Sequence, residues 1–332
     1  MIRKKEALLA LAGVALFAFV VRQIGWSEVI AAISKAKLAV AVIVGLSLIR
    51  LALQSWSWMI ALRLDGIRCS LCELMFARLA SQGIGYLSVL GPVASEPMKI
   101  SLLQNRGASA TTATLADTGV YWFVSGIVGV AGCFSAALLL SNNRHSVASL
   151  AIIGVIIVAT LFLIASPKAR LSPIADALGA RSLRWIVKAQ QVEGALRNFK
   201  RHHPSSIRRM LLLDVACQAL LAGEVVSVLW TLKIPIHIVT VLAIEGATRA
   251  IKIMAGWMPA RIGADESGLA GAFSAFGLSP ASGLTLALTR RLRDLLAALI
   301  GLSWLAWRAG FMKATTGQTT YRNEEDTTCK LC

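Results

Sequence analysis

Charge is what this sequence has least of. Only 15% of its 332 residues are Asp, Glu, Lys or Arg, against roughly 25% in a soluble domain, so the chain cannot cover a water-facing surface and lipid must be its solvent. Acidic residues are scarcest, 17 against 34 basic, which leaves a formal net charge of +17. That surplus does not imply nucleic acid, because the basic residues are split among short segments between apolar runs instead of gathered on one folded module. There is no Walker motif, no GxGxxG after a strand and no GxSxG elbow, and with them go the common nucleotide and hydrolase sites. The four histidines, His145, His202, His203 and His237, fall in loops without zinc-ligand spacing. Cys69-x-x-Cys72 and Cys329-x-x-Cys332 carry four thiols, but one pair abuts a helix start and the other ends a polar stretch, so no metal or cofactor is expected. Cys329 stands where a prenylated Cys would, yet Cys332 is not a usual last residue for that signal.

Long apolar runs are what the chain has instead. Hydrophobic residues make up 56% and mean hydropathy is +0.68. A spanning helix needs roughly 20 apolar residues, and six runs answer, at about 6–21, 38–62, 112–140, 147–165, 210–232 and 281–307. The first follows Arg3-Lys4-Lys5; it reads as a retained first helix and not a signal peptide, since no small-x-small cleavage pattern closes it. The stretch 167–209 holds ten basic and two acidic residues, which places it in the cytoplasm by the positive-inside rule. Counting outward puts both termini in the cytoplasm as well. Within that stretch, 175–198 reads either as an amphipathic surface helix or as a solvated connector. Residues 1–310 form one transmembrane domain in this reading, and 311–332 a disordered polar tail.

Two segments are apolar enough to enter a bilayer but too broken to cross it as one helix. About 72–103 contains Gly83-Ile84-Gly85 and then Gly91-Pro92, and about 236–277 contains Gly256 to Gly268 with Pro259 inside. Such breaks free backbone groups that lipid cannot satisfy, so they survive where protein or a wet cavity covers them. Each broken segment sits between two spanning runs, and each has a Pro followed by a Glu, at Pro92/Glu96 and Pro259/Glu266. The fold class expected is all-α polytopic: six spanning helices plus two re-entrant hairpins, with repeat one at about 38–140 and repeat two at about 210–308 in inverted topology. The alternative is a pair of unrelated Gly/Pro kinks in ordinary helices.

An ionisable side chain at bilayer depth costs roughly 2.5–3.5 kcal/mol, so those that persist are candidates for function. Glu245, Arg249 and Lys252 share one helical face by their spacing; Glu245 can pair with Arg249, leaving Lys252 as a surplus cation. Glu96 and Lys99 lie beside the first break, and Arg261, Asp265 and Glu266 beside the second. Asp117 precedes Tyr121 by one turn in the third run, Asp214 and Glu224 lie in the fifth, and Arg290, Arg293 and Asp294 in the last. Cations beside exposed helix N-termini suit a lipid with an anionic head group.

The stretch Gly91–Lys99, the Pro-x-x-x-Gly-x-x-Glu stretch at Pro259–Glu266 and the Arg-rich last helix resemble the lysylphosphatidylglycerol synthase transmembrane family, also called flippase-like, over about residues 5–310. The resemblance implies an inverted-repeat membrane fold with two re-entrant hairpins that moves or binds lipids. It matches Glu96 and Lys99 to the acidic and basic positions of the first hairpin and Glu266 to the acid of the second. The chain departs from the family in having Lys99 where Arg is common and Asp265 where a basic residue is. It also leaves no room for the soluble aminoacyltransferase domain of lipid-modifying members. The expectation is a non-enzymatic lipid or lipid-linked-intermediate translocase of the bacterial cytoplasmic membrane. Its site would comprise Glu96, Lys99, Asp117, Glu245, Arg249, Lys252, Arg261, Glu266 and Arg290. The alternatives are a lipid-binding accessory protein of a membrane-surface synthase or glycosyltransferase, and an intramembrane enzyme with Glu96 or Glu266 as general base.

Overall fold

The computed structural model describes residues 37–88, 92–103, 109–140, 203–256 and 258–316. The expected runs at 6–21 and 147–165, the 175–198 segment, all but the end of the basic stretch, and Cys329 and Cys332 lie outside the described residues. Every described element is helical: α1 (Lys37–Leu64), α2 (Leu71–Leu87), α3 (Pro92–Leu102), α4 (Ser109–Leu139), α5 (Pro204–Thr231), α6 (Ile238–Met254), a 3-10 turn at Pro259–Arg261, α7 (Ala264–Ala275) and α8 (Pro280–Thr316). By length and composition α1, α4 and α5 can cross a membrane, with mean hydropathies of 2.0, 1.9 and 1.8 over their most apolar windows. Helix α8 is the longest, at 37 residues, and carries Arg290, Arg291, Arg293 and Asp294 in mid-course. It runs through the expected tail boundary at 311 as far as Thr316.

The helix boundaries follow from local chemistry. Ser70 caps α2 by accepting from the Glu73 N–H at 3.1 Å, half of a capping box. Helix α2 stops at Leu87, where the Ser88 N–H closes onto the Ile84 carbonyl, and α3 resumes at Pro92, a residue suited to a first helical turn. In the second half, α6 ends at Met254 and α7 begins after Gly263, whose φ of +79° favours glycine. Between them Ala260 and Arg261 hold φ of 50° and 46°, a left-handed conformation costing side-chain-bearing residues about 1–3 kcal/mol each. The Arg291 guanidinium donates to the carbonyls of both, at 3.4 and 3.1 Å. Each expected broken segment is thus two helices packed against each other, α2 on α3 and α6 on α7.

The main seats between helices come in a regular pattern: α1 lies along α5, α4 along α6, and α2 along α8. The last two are close backbone contacts made possible by glycine. A Cβ on Gly246 of α6 would stand 2.7 Å from the backbone of Gly132 on α4, and one on Gly301 of α8 would stand 2.4 Å from the backbone of Leu79 and Ala80 on α2. Three apolar clusters fill the rest, centred on Trp58 and Leu62, on Ile244 and Phe273, and on Leu87 and Leu302.

Polarity is inverted relative to a water-soluble bundle. Leu212 is 70% exposed while Asp214, two residues on in the same helix, is 1% exposed. Phe134, Ile253, Leu48 and Trp230 also face outward, whereas Arg78, Lys99, Asp117, Glu224, Glu245, Arg290, Arg291 and Arg293 are buried. A buried charge and an exposed apolar surface are the informative departures from the usual rule, and here both occur on the same helices.

Candidate functional site

The buried charges fall into two clusters. The larger joins α5, α6, α7 and α8. Glu245 of α6 accepts from Arg249 at 2.7 Å and from Arg290 of α8 at 2.5 Å. Arg290 reaches on to Glu224 of α5 at 3.2 Å, and Glu224 also pairs with Arg293. Arg293 holds Asp294 at 2.8 Å, Asp294 meets Arg261 at 3.9 Å, and Arg261 closes on Asp265 of α7 at 3.1 Å. The result is one continuous chain of alternating charge, four arginines and four carboxylates, crossing α5, α6, α7, α8 and the 3-10 turn that carries Arg261. Neutral groups anchor its members: Thr248 accepts from Arg290 at 3.1 Å, Gln218 accepts from Arg249 at 2.5 Å, and Ser47 of α1 donates to Glu224 at 3.3 Å. Beside the chain, Arg291 pairs with Glu266, and the Arg261 guanidinium lies 5.2 Å from the Tyr86 ring centroid, a cation–π contact with α2.

Lys252 stands apart. It makes no ion pair among the described residues, and it lines a small cavity with Thr248, Asp265, Arg290, Arg291 and Asp294. The cavity volume is about 10 Å³, near the lower limit for one water, so its own ion pairs leave little room in it. The N-terminus of α7, expected to attract an anion, is filled from within: the Glu266 carboxylate accepts from the Gly263 N–H at 3.1 Å.

The smaller cluster joins α2, α3, α4 and α5. Arg78 of α2 pairs with Asp117 of α4 at 2.5 Å, donates to the Gln54 carbonyl at 2.9 Å, and lies 5.5 Å from the Trp58 ring centroid. Lys99 of α3 holds Glu96 at 2.8 Å, and the other Glu96 oxygen accepts from Thr118 of α4 at 2.8 Å. Asp214 of α5 faces this group; the charges acting on it are those of Asp117 and Arg78.

The nine expected site residues therefore divide between the clusters. Glu245, Arg249, Arg261 and Arg290 share the long chain, with Lys252 on its cavity and Glu266 on the neighbouring pair. Glu96, Lys99 and Asp117 share the short cluster. Asp117 pairs with Arg78 and not with anything near Tyr121. Sequence reasoning missed Arg78, although it lies in an apolar helix run with Glu73 its only charged neighbour. It also missed Arg291, which leaves the face shared by Arg290, Arg293 and Asp294 and turns to α7. The doublet Arg290-Arg291 in the middle of an apolar helix was the available signal. Among the described residues no group of three or more His, Cys, Asp or Glu is placed to hold a metal, and Cys69, Cys72, Cys133 and Cys217 form no disulfide there.

The family model described as lysylphosphatidylglycerol synthase TM region matches residues 7–301. No curated protein and no solved structure matches the chain significantly.

Proposed function

We infer, from the premise that the chain belongs to the lysylphosphatidylglycerol synthase transmembrane family, that it is a lipid or lipid-linked-intermediate translocase of the bacterial cytoplasmic membrane. In this reading six helices span, two hairpins re-enter, the halves form an inverted repeat, and both termini face the cytoplasm. The paired seats support the repeat: exchanging the halves turns α4 on α6 into α8 on α2 and leaves α1 on α5 unchanged. The two breaks then approach a common region, the plan of many transporters.

One observation carries the functional reading. A chain of eight alternating charges, four of them buried and four half-buried, ends beside a cavity lined by Lys252, a cation with no ion pair among the described residues. Balanced pairs can be structural, but an ammonium at bilayer depth stands at a cost, and Asp294, the carboxylate that attracts Lys252, is shared with Arg293 and Arg261. An anionic head group is the partner that offsets it. The contact between Arg261 and Asp294, at 3.9 Å the longest in the chain, is where α7 would part from α8 to admit it. The site holds and orients its ligand; no step of bond making is proposed, so the lipid species of expressing and deleted cells should be identical by mass spectrometry.

The test is translocation in proteoliposomes with anionic lipid labelled in one leaflet. Wild type should equilibrate the label, and Glu96→Gln, Lys99→Ala and Glu266→Gln should each slow it. If all three match wild type, the hairpin site is not the translocation site. The second reading, a lipid-binding accessory of a membrane-surface synthase or glycosyltransferase, is favoured by the small cavity and the basic stretch 167–209. It predicts lipid binding with no movement between leaflets.

A further inference from the structure

The translocation reading leaves one buried group unused. Asp214 lies in the middle of α5, 1% exposed, and makes no hydrogen bond or ion pair among the described residues. Its Oδ2 is buried without a partner. The charges acting on it are those of Asp117 and Arg78; the other charged groups of the elements packed on α5 are engaged elsewhere. Helix α4 contributes Asp117. Helix α2 contributes Arg78, with the Lys99–Glu96 pair of α3 just beyond. Helix α1 contributes Arg50, whose charge acts on Cys217 and Glu224. From α6, Arg249 is engaged by Glu245 and Gln218, and from α8 Arg290 and Arg293 are engaged at Glu224, about 15 Å along the helix from Asp214. On α5 itself the Cys217 thiol donates to the Arg50 carbonyl at 3.8 Å.

Two carboxylates, Asp117 and Asp214, thus face a single guanidinium, and Asp117 already holds it. The Arg78–Asp117 and Lys99–Glu96 pairs are neutral together. A second carboxylate anion in that place would leave the cluster with a net charge of −1, with no hydrogen bond or ion pair among the described residues to hold it. The complementary vacancy is also present, since the Nε–H of Arg78 is buried and unpartnered. A charged Asp214 carboxylate would have that N–H to move toward, from α5 to α2, two elements from opposite halves of the chain.

We propose that Asp214 is a proton-binding site, and that its proton is taken up and released once per transport cycle, coupling lipid movement to a proton gradient through Arg78. Each turn transfers one proton from water on one side to the Asp214 carboxylate and returns it to water on the other, with Arg78 and Asp117 charged throughout. The coupling half of this proposal rests on the translocation reading; the proton-binding half does not.

Two measurements on the full chain separate them. Infrared difference spectra of the purified protein across a pH jump should show the carbonyl stretch of a protonated carboxyl group, shifted by deuterium exchange and lost in Asp214→Asn. Absence of that band in wild type, or its survival in Asp214→Asn, overturns the proton site, and the wild-type spectrum decides the first point even if the variant folds poorly. In proteoliposomes of anionic lipid, a pH gradient should change the wild-type translocation rate, and the ratio of rates with and without the gradient should fall to one in Asp214→Asn. A ratio unchanged from wild type overturns the coupling. Wild-type vesicles that move no lipid under either condition overturn the translocation reading and the coupling with it, while the infrared band still decides whether Asp214 holds a proton.

Discussion

In α4, Asp117 and Thr118 are adjacent; Asp117 reaches Arg78 on α2 and Thr118 reaches Glu96 on α3. In α8, Arg290 and Arg291 are adjacent; Arg290 reaches Glu245 on α6 and Arg291 reaches Glu266 on α7. The long helix of each half thus ties down both limbs of its own hairpin with two consecutive residues. The wiring matches, but the charges do not: where the first half sets a carboxylate on the long helix against an arginine on the hairpin, the second half reverses the two. The first helices of the halves also cross over. Asp214 of α5 serves the small cluster and Arg50 of α1 faces the large one, and each has a buried polar atom without a partner. Counting members, the small cluster has two cations (Arg78, Lys99) to three carboxylates (Glu96, Asp117, Asp214). The large one has seven cations (Arg50, Arg249, Lys252, Arg261, Arg290, Arg291, Arg293) to five carboxylates (Glu224, Glu245, Asp265, Glu266, Asp294). The small cluster is short of positive charge and the large one short of negative charge. In the proposed reading a proton answers the first deficit and an anionic head group the second, so the imbalance of each cluster names the ligand it lacks.

The largest effect should come from cutting the large cluster at its branch. Glu224→Ala removes the carboxylate shared by Arg290 and Arg293 and leaves two guanidinium groups short of a partner. Breaking one buried pair costs about 3–5 kcal/mol, so thermal unfolding in detergent should show a severe loss or no folded protein. Asp117→Ala strands only Arg78 and should cost less. Equal losses would mean that the long chain is no more cooperative than the single pair, and the contrast between the halves would be one of count alone.

Next in size are the glycine seats, which ask whether the halves are equivalent in packing as well as in wiring. A side chain at Gly246 must displace the Gly132 backbone, and one at Gly301 must displace the Leu79–Ala80 backbone. Overpacking typically costs about 1–3 kcal/mol. Gly246→Leu and Gly301→Leu should therefore lower the unfolding temperature by similar amounts, while Gly271→Leu, which meets nothing within 4 Å, should not. A loss at only one seat would show that α4 on α6 and α2 on α8 carry unequal loads.

These seats also show where the sequence was legible. The apolar runs of α1, α4 and α5 mark helices without ambiguity, because a continuous stretch of lipid-compatible residues has few other uses. The breaks were legible from Gly91-Pro92 and from Pro259 with Gly263, since those residues stop helices by local sterics. Charged residues on one helical face were legible too, as with Glu245 and Arg249. Which cation meets which carboxylate across helices was not, because such pairs are separated by up to 69 residues (Glu224 to Arg293) and depend on how the helices are seated. Arg78 was misjudged for that reason: a single basic residue in an apolar run looks the same whether it faces cytoplasm or a buried Asp117. Gly132 and Gly246 likewise give no sign, one at a time, that they touch.

The smallest effect on stability, and the sharpest on function, belongs to the unpaired cation. Replacing a member of a buried ion pair leaves its partner stranded, but Lys252 has no partner to strand. Lys252→Met keeps the length and volume of the side chain and removes only the charge, so unfolding temperature should hold or rise slightly. If Lys252 is the place the anionic head group occupies, translocation of anionic lipid should fall sharply in the same variant. Lys252→Arg should restore part of it, because a guanidinium keeps the charge while changing the geometry offered to a phosphate. A variant both stable and fully active would remove the reason for assigning the cation surplus to a ligand, and the asymmetry between the clusters would then belong to folding. A variant as damaged in stability as Glu224→Ala would show instead that Lys252 is held by the ion-pair chain after all, and that the large cluster has no charge to spare.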